Sequence, residues 1–333
     1  MEAKHEWTTW QELLAQLIKN PQEKRRLAYE AQVKPITLRR WVTGESQPRE
    51  ENIQRLARAL PPHLSAAFLR LIGASFPAFA RSDFTTRNIK PEIPSPLYAQ
   101  LMQNYSLLPA TLARSTLYEF ILGHAVEHLD PNKVGLSIGL ICCVPPQHGQ
   151  KIFALRQVAG IGTPPWEREL ERNVVFLGAE SVAGASVISY HLSFIDSRDE
   201  VTIAPAHWTE YEQSAVAFPI LRQARVAGAL LASSCQPYYF TPVLKSLVEA
   251  YAHAAALIFD SSEFYSPSDV QLGIMPDASL QLPVIGGFEQ RVSRKLTEAM
   301  VHNQHITIQQ AHQYIWQEIA DELLQLVGKN GLS

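Results

Sequence analysis

LAYEAQVKPITLRRWVTGESQPREENIQRLARAL, residues 27–60, decides how this chain is read. Leu27 and Ala28 open one apolar stripe, and Leu38, Trp41 and Val42 make a second at i, i+3, i+4 spacing. Ile53, Leu56, Ala57 and Leu60 make a third. Val33 falls in the turn between the first two, and Pro35 sits where a first helical turn needs no N–H. Gly44 suits the residue just past a helix end, where φ is often positive. Pro48 marks the start of the next helix. The spacing therefore predicts three short helices joined by tight turns.

These residues resemble the helix-turn-helix of the phage-repressor-like (Xre/Cro) DNA-binding family. The likeness rests on Leu27-Ala28, Val33, Thr37-Leu38, Trp41, Gly44 and Leu56-Ala57…Leu60. Gln32 stands where that family usually has Gly, so it must take an unfavourable φ or the turn must differ. Between Gln22 and Gly44 lie six basic residues (Lys24, Arg25, Arg26, Lys34, Arg39, Arg40) and two acidic ones, a local net of +4. With Leu38 facing inward, Ile36, Thr37, Arg39 and Arg40 fall on the exposed side of the recognition helix. Arg there can meet guanine O6 and N7, and Thr or Ile a thymine methyl. Lys24, Arg25 and Lys34 suit phosphates, which fix register without reading sequence. The alternative is a solvated helical hairpin used for protein contact.

The whole chain has 333 residues, enough for two domains with connectors, and its 46% apolar and 18% charged content describes a globular protein. Residues 1–60 carry 11 Lys/Arg against 8 Asp/Glu, net +3; the remainder carries 18 against 24, net −6. A basic head on an acidic body is expected, with nucleic acid contacted by the head alone. Neither a signal peptide nor a membrane-spanning run is visible, and three cysteines form no disulfide framework, so a reducing cytoplasm is expected.

Residues 7–18 predict a leading amphipathic helix capped by Thr8 or Thr9, and residues 62–72 a closing one. Residues 73–96 read as a Pro-rich linker whose Phe76, Phe79 and Phe84 pack on something. Helical spacing returns over 97–129, broken at Pro109. Strands are expected at 134–144, 151–159, 187–191, 214–221 and 226–234, with a short helix at 166–172 and a long one from Thr241 to Phe259. Residues 263–285 read as loop, and 288–327 as two helices with an apolar seam through Ile315, Trp316, Ile319 and Leu323.

From 110 to 262 the succession resembles a GAF domain, a small-molecule sensing α/β module. The residues are the Gly178…Gly184 turn, Asp196–Asp199, Ala217-Phe-Pro-Ile220, Val226-Ala-Gly-Ala-Leu230 and Phe240-Thr-Pro242, followed by the helix bearing Leu244, Leu247 and Tyr251. The expected fold class is thus multidomain α and α/β. A five-helix bundle (1–72) and a linker (73–96) precede a GAF-like antiparallel sheet flanked by helices (97–262) and a helical tail (263–333).

The candidate pocket residues are Cys142, Trp166, Tyr190, His191 and Trp208, since aromatics over an apolar cavity suit a small organic effector. Cys142 and Cys143 alternate across a strand; as buried thiols they act as small hydrophobes, and as exposed ones they could be redox-active, as in the GAF-like methionine sulfoxide reductases. Cys235 ends a strand and is expected to be more exposed. His302, His305 and His312, and the i, i+4 pair His124 and His128, lack further ligands for a metal. Motifs for phosphate-binding loops, zinc proteases and nucleophile elbows are absent, and the sequence names no cofactor. The expectation is a non-enzymatic transcriptional regulator that binds double-stranded DNA as a homodimer and answers a small molecule or redox signal. The alternatives are a body that only dimerises or binds protein, and a thiol-based reductase.

Overall fold

Side-chain caps fix where the first two N-terminal apolar stripes begin. The computed structural model describes residues 7–75, 89–107, 110–146, 151–170, 174–200, 208–209 and 211–329. Helix α1 (Trp10–Leu17) starts at Thr9, whose hydroxyl accepts from the Glu12 N–H at 3.2 Å. Helix α2 (Pro21–Glu30) starts at Asn20, whose side chain accepts from Gln22 and Glu23. It ends in a turn where Gln32 takes φ +55° and the Val33 N–H returns to the Ala28 carbonyl at 2.9 Å. The strain anticipated at Gln32 is therefore present. Helix α3 (Pro35–Val42) has Pro35 in its first turn and ends before Gly44 at φ +76°. Helices α4 (Glu50–Ala59) and α5 (Pro62–Ser75) follow. Buried Trp10, Leu13, Leu27, Leu38, Trp41, Leu56, Phe68 and Ile72 form their common interior, with Trp10 edge-on to Phe68 at 6.3 Å.

Phe76, Phe79 and Phe84 lie outside the described residues. Helices α6 (Ser95–Leu107) and α7 (Ala110–Leu129) lead into a six-stranded antiparallel sheet. Its strands are β1 (Leu136–Cys143), β2 (Leu155–Gly162), β3 (Phe176–Leu177), β4 (Ser193–Ile195), β5 (Ser214–Arg222) and β6 (Arg225–Ser234), in the order β3-β2-β1-β6-β5-β4. Leu136, Ile138, Leu140 and Cys142 face a core shared with α7 and with α9 (Pro242–Ala255). Ile141 and Cys143 face the opposite layer, where α8 (Val182–Ser189) packs. The expected sheet flanked by helices is thus present.

Several local expectations are corrected. Residues 187–191 are not a strand: the Ser181 hydroxyl caps α8 by accepting from Gly184 N–H at 2.9 Å, and the helix stops at Tyr190 with φ +61°. Residues 166–170 are not a helix. They fold back along the edge of β2, where Gly162 N–H donates to Arg168 O and Leu170 N–H to Gly160 O. The second strand begins at Leu155, not 151, because residues 151–153 pair elsewhere. Residues 263–285, read as loop, contain a helix, α10 (Ala278–Ile285).

Before α10 a strap crosses the end of the sheet. Tyr265 and Val226 exchange two backbone bonds of 2.9 Å, Gln271 N–H donates to Ile152 O, and Gly273 N–H to Phe153 O. The buried Gln281 amide then completes the outer strand, accepting from Phe176 N–H at 2.8 Å and donating to Phe176 O at 2.9 Å. Helices α11 (Phe288–Val301) and α12 (Ile308–Lys329) form the tail. Phe288 stacks on Trp316 with centroids 3.8 Å apart, and Arg291 grips Glu322 with bonds of 2.6 and 2.9 Å.

Candidate functional site

Helix α3 buries Leu38 and Trp41, which turns the residues between them outward. Ile36 is 49% exposed, Lys34, Arg39 and Arg40 are exposed, and Thr37 is half-buried. On α2, Arg25 is exposed and Lys24 half-buried. Arg26 is engaged internally, with its guanidinium bonded to Glu23 and to the Ala59 carbonyl at 2.9 Å. Arg40 lies 3.9 Å from Glu45, an exposed and hence weak pair. Tyr29, 82% exposed on α2, went unnoticed in the sequence, although its place beside the inward-facing Ala28 signals an outward aromatic.

The five pocket candidates are not brought to one place. Cys142 lies on the α7 face of the sheet, near Arg114 and Tyr118. Tyr190 lies on the α8 face, where its hydroxyl is buried with no partner among the described residues; desolvation, then Cys143 and Asp269, push it up to about 12. Trp166 packs on Cys235 and Leu170, edge-on to Tyr211 at 6.3 Å. The Arg198 guanidinium sits 5.3 Å over the Trp208 ring, whose buried N–H has no partner among the described residues, and His191 is exposed. Cys235 is 3% exposed, not open as expected, because Gly135 and Trp166 close over it.

Burial pushes the Cys142 thiol up to about 12 and raises Cys143 as well. Neither thiol carries the charge a nucleophile needs. His128 is held between Tyr251 Oη at 3.0 Å and Lys90 O at 2.8 Å, and burial lowers its pKa. Among the described residues, no group of three or more His, Cys, Asp or Glu could hold a metal ion.

Two buried carboxyls emerge that sequence reading missed. Glu212 accepts from Ser233 Oγ at 2.8 Å, and burial pushes it up to about 7. Asp130 accepts from Val134 N–H, Gly135 N–H and Thr163 Oγ1 at 2.8, 3.1 and 2.7 Å, with burial raising it to about 6. A cleft of about 660 Å³ lies between α7 and the β2 edge, with Glu119, Phe120, His124, Glu127, Arg168 and Glu169 on its walls. It contains none of the five candidates.

Over about half its length the chain is similar in shape to several solved structures. One is a type II free methionine-R-sulfoxide reductase from Thermoplasma acidophilum, with 16% identity, 47% of this chain and 97% of that one covered, and a TM-score of 0.33. Another is the GAF domain of an Acinetobacter phosphoenolpyruvate-protein phosphotransferase, with 13% identity, 49% and 90% covered, and a TM-score of 0.34. A further GAF domain gives 14% identity, 54% and 96% covered, and a TM-score of 0.34. The likeness is one of chain path and gives no side chain here a role. No family model matches the sequence, and no curated protein does. Among the described residues, no helix is long and apolar enough to cross a membrane.

Proposed function

We propose that this chain is a sequence-specific DNA-binding regulator whose N-terminal helices read the major groove and whose GAF-like body dimerises or senses. The observation that carries this reading is the outward face of α3, where Ile36, Arg39 and Arg40 are exposed while Leu38 and Trp41 anchor the helix from behind. One such helix contacts few phosphates, so a two-fold dimer on half-sites about 34–36 Å apart is the natural working form. Exposed Tyr98, Met102 and Tyr105 on α6, and Met300 and Val301 at the end of α11, are the surfaces proposed for pairing. An effector in the body would then alter the spacing of the two heads. Identical head spacing by solution scattering with and without an effector would count against that mechanism.

Selection from a random duplex pool, followed by salt titration, tests the reading. A two-fold-symmetric site is expected, and Arg39→Ala/Arg40→Ala is expected to lose its base preference, at about 1–3 kcal/mol per bidentate contact. Lys24→Ala/Arg25→Ala is expected to weaken all sequences alike and to flatten the salt slope by about two. If no sequence is enriched and both variants bind as the wild type does, the reading fails and the N-terminal helices are a protein-contact surface.

A second reading, a body that only dimerises, is favoured by the α8 side of the sheet. There Ile141, Leu155, Leu177, Ala183, Val187 and Ala217 pack together, with Tyr265, Val270 and Leu272 of the strap against them. The burial of all three thiols supports a body that works without thiol chemistry. An aromatic disulfide reagent is expected to leave the native protein untouched and to titrate three thiols after unfolding. Rapid reaction of a thiol in the native state would revive the reductase reading.

A further inference from the structure

The tail meets the sheet at a seam that contains one unmatched charge. Arg156 on β2 stands directly across from Cys142 on β1 and next to Phe176 on β3, so the three side chains share a face. Its guanidinium is largely buried and lies 4.5 Å over the Trp316 ring of the tail, which is itself stacked on Phe288. Its one hydrogen bond among the described residues is a long one, 3.4 Å, to the carbonyl of Gln157. No carboxylate pairs with it there. On the other side of Cys142, α7 supplies a second guanidinium, Arg114, which donates to Tyr118 Oη at 2.7 Å and to Glu263 at 2.5 Å. Arg114, Tyr118 and Cys142 all lie within electrostatic reach of Arg156. The seam thus holds two arginines and one carboxylate, and the carboxylate is taken.

A buried cation without a counter-charge is costly, and attraction to an indole face recovers only part of that cost. Burial accordingly holds Arg156 below its ordinary pKa. A guanidinium carries five N–H donors in a planar fork matched to carboxylate and phosphate, and here most of that fork is unused. Cys142, kept neutral, adds a weak S–H donor beside it.

We propose that the seam between α7, β2 and α12 binds a small oxyanion, a phosphate or a carboxylate group, through the fork of Arg156. The positive field of Arg114 reinforces that binding, and the bound anion bridges the sheet to Trp316 of the tail. This inference goes beyond the regulator reading and stands whether or not the N-terminal helices bind DNA.

The test uses the full-length chain, with inorganic phosphate and succinate as probes to distinguish the two chemistries. Tryptophan emission and the thermal midpoint are followed during titration of the wild type and of Arg156→Gln, Arg156→Lys and Trp316→Phe. The wild type is expected to show saturable changes in both signals with at least one probe. Arg156→Gln is expected to weaken binding by roughly tenfold to a hundredfold, the effect of losing a charge-assisted bond. Arg156→Lys keeps the charge without the fork and should fall between them. Trp316→Phe should retain the thermal response and lose most of the optical one. Circular dichroism checks that each variant is folded, and an Arg39→Ala/Arg40→Ala background removes anion binding at α3. If neither probe changes either wild-type signal, or if Arg156→Gln and Arg156→Lys respond as the wild type does, the proposal is overturned.

Discussion

Gly228→Ala is expected to cost the sheet its central pairing, while Gly44→Ala leaves a folded protein only slightly less stable. Both glycines have positive φ, +155° and +76°. A Cβ on Gly44 meets nothing within 4 Å, so its cost is the left-handed conformation alone, about 1–2 kcal/mol. A Cβ on Gly228 would stand 2.0 Å from the Ile141 carbonyl oxygen and 2.8 Å from Cys142 Cα. These are backbone atoms of β1, which cannot swing away as a side chain can. Gly228 pairs with Cys142 on one side and Ile220 on the other, beside the irregularity between Ile220 and Leu221. Relief of the clash would therefore break the β1–β6 ladder, a loss of more than about 4 kcal/mol. Denaturant unfolding of the two variants is the check. Equal, small shifts in midpoint would mean that β1 and β6 are not packed this closely.

The second large effect is a stability that falls as the solution becomes less acidic. Glu212 is raised to about 7 and Asp130 to about 6, in each case chiefly by burial. In the unfolded chain both carboxyls titrate near about 4, so between that value and the folded one the native state binds more protons. Their contribution is complete below the unfolded pKa and is lost as pH rises through the folded pKa. Between about pH 4 and pH 7 the protein should lose stability on the order of a few kcal/mol. Glu212→Gln keeps an oxygen that can accept from Ser233 but cannot ionise, so it should flatten the upper part of the decline. Asp130→Asn should flatten the lower part. Thermal midpoints across that range decide the matter: a midpoint that climbs with pH, or a Glu212→Gln profile parallel to the wild type, would reject this account.

Local punctuation made much of the fold legible in the sequence. Pro35, Gly44 and the apolar spacing around Leu38 and Trp41 mark α3 without any tertiary information. Strands β5 and β6 stand out as apolar runs on either side of a polar turn, in which Gln223 and Ala224 take φ +51° and +57° without a glycine. Errors arose where tertiary contacts overrode propensity. Val187 and Ile188 are β-branched and suggest a strand, yet the Ser181 cap and the layer beneath make them helical. The alternating charges of 166–172 suggest a helix, but over 168–170 the return along β2 recruits the backbone instead.

Sites fared worse for a geometric reason. Arg156 and Cys142 are neighbours only through the hairpin register, and Glu212 reaches Ser233 only across β5 and β6. Neither pairing leaves a trace in sequence spacing. The aromatics expected to line one apolar pocket, Trp166, Tyr190 and Trp208, end up in separate surroundings.

The Gln281 clasp has a consequence for how this chain meets other chains. An unpaired outer strand is a template for aggregation, and here the β3 side is sealed by a side chain imitating a strand. The rest of that flank is covered by the return of residues 168–170 along β2. The other flank, β4, is three residues long, and Lys245 lies over its outward Phe194 with the ammonium 3.2 Å from the ring centroid. Among the described residues, an extended peptide or an unfolded neighbour seeking to lengthen the sheet is thus left with one short margin to join, whose lysine is already paired with Asp196 at 3.1 Å.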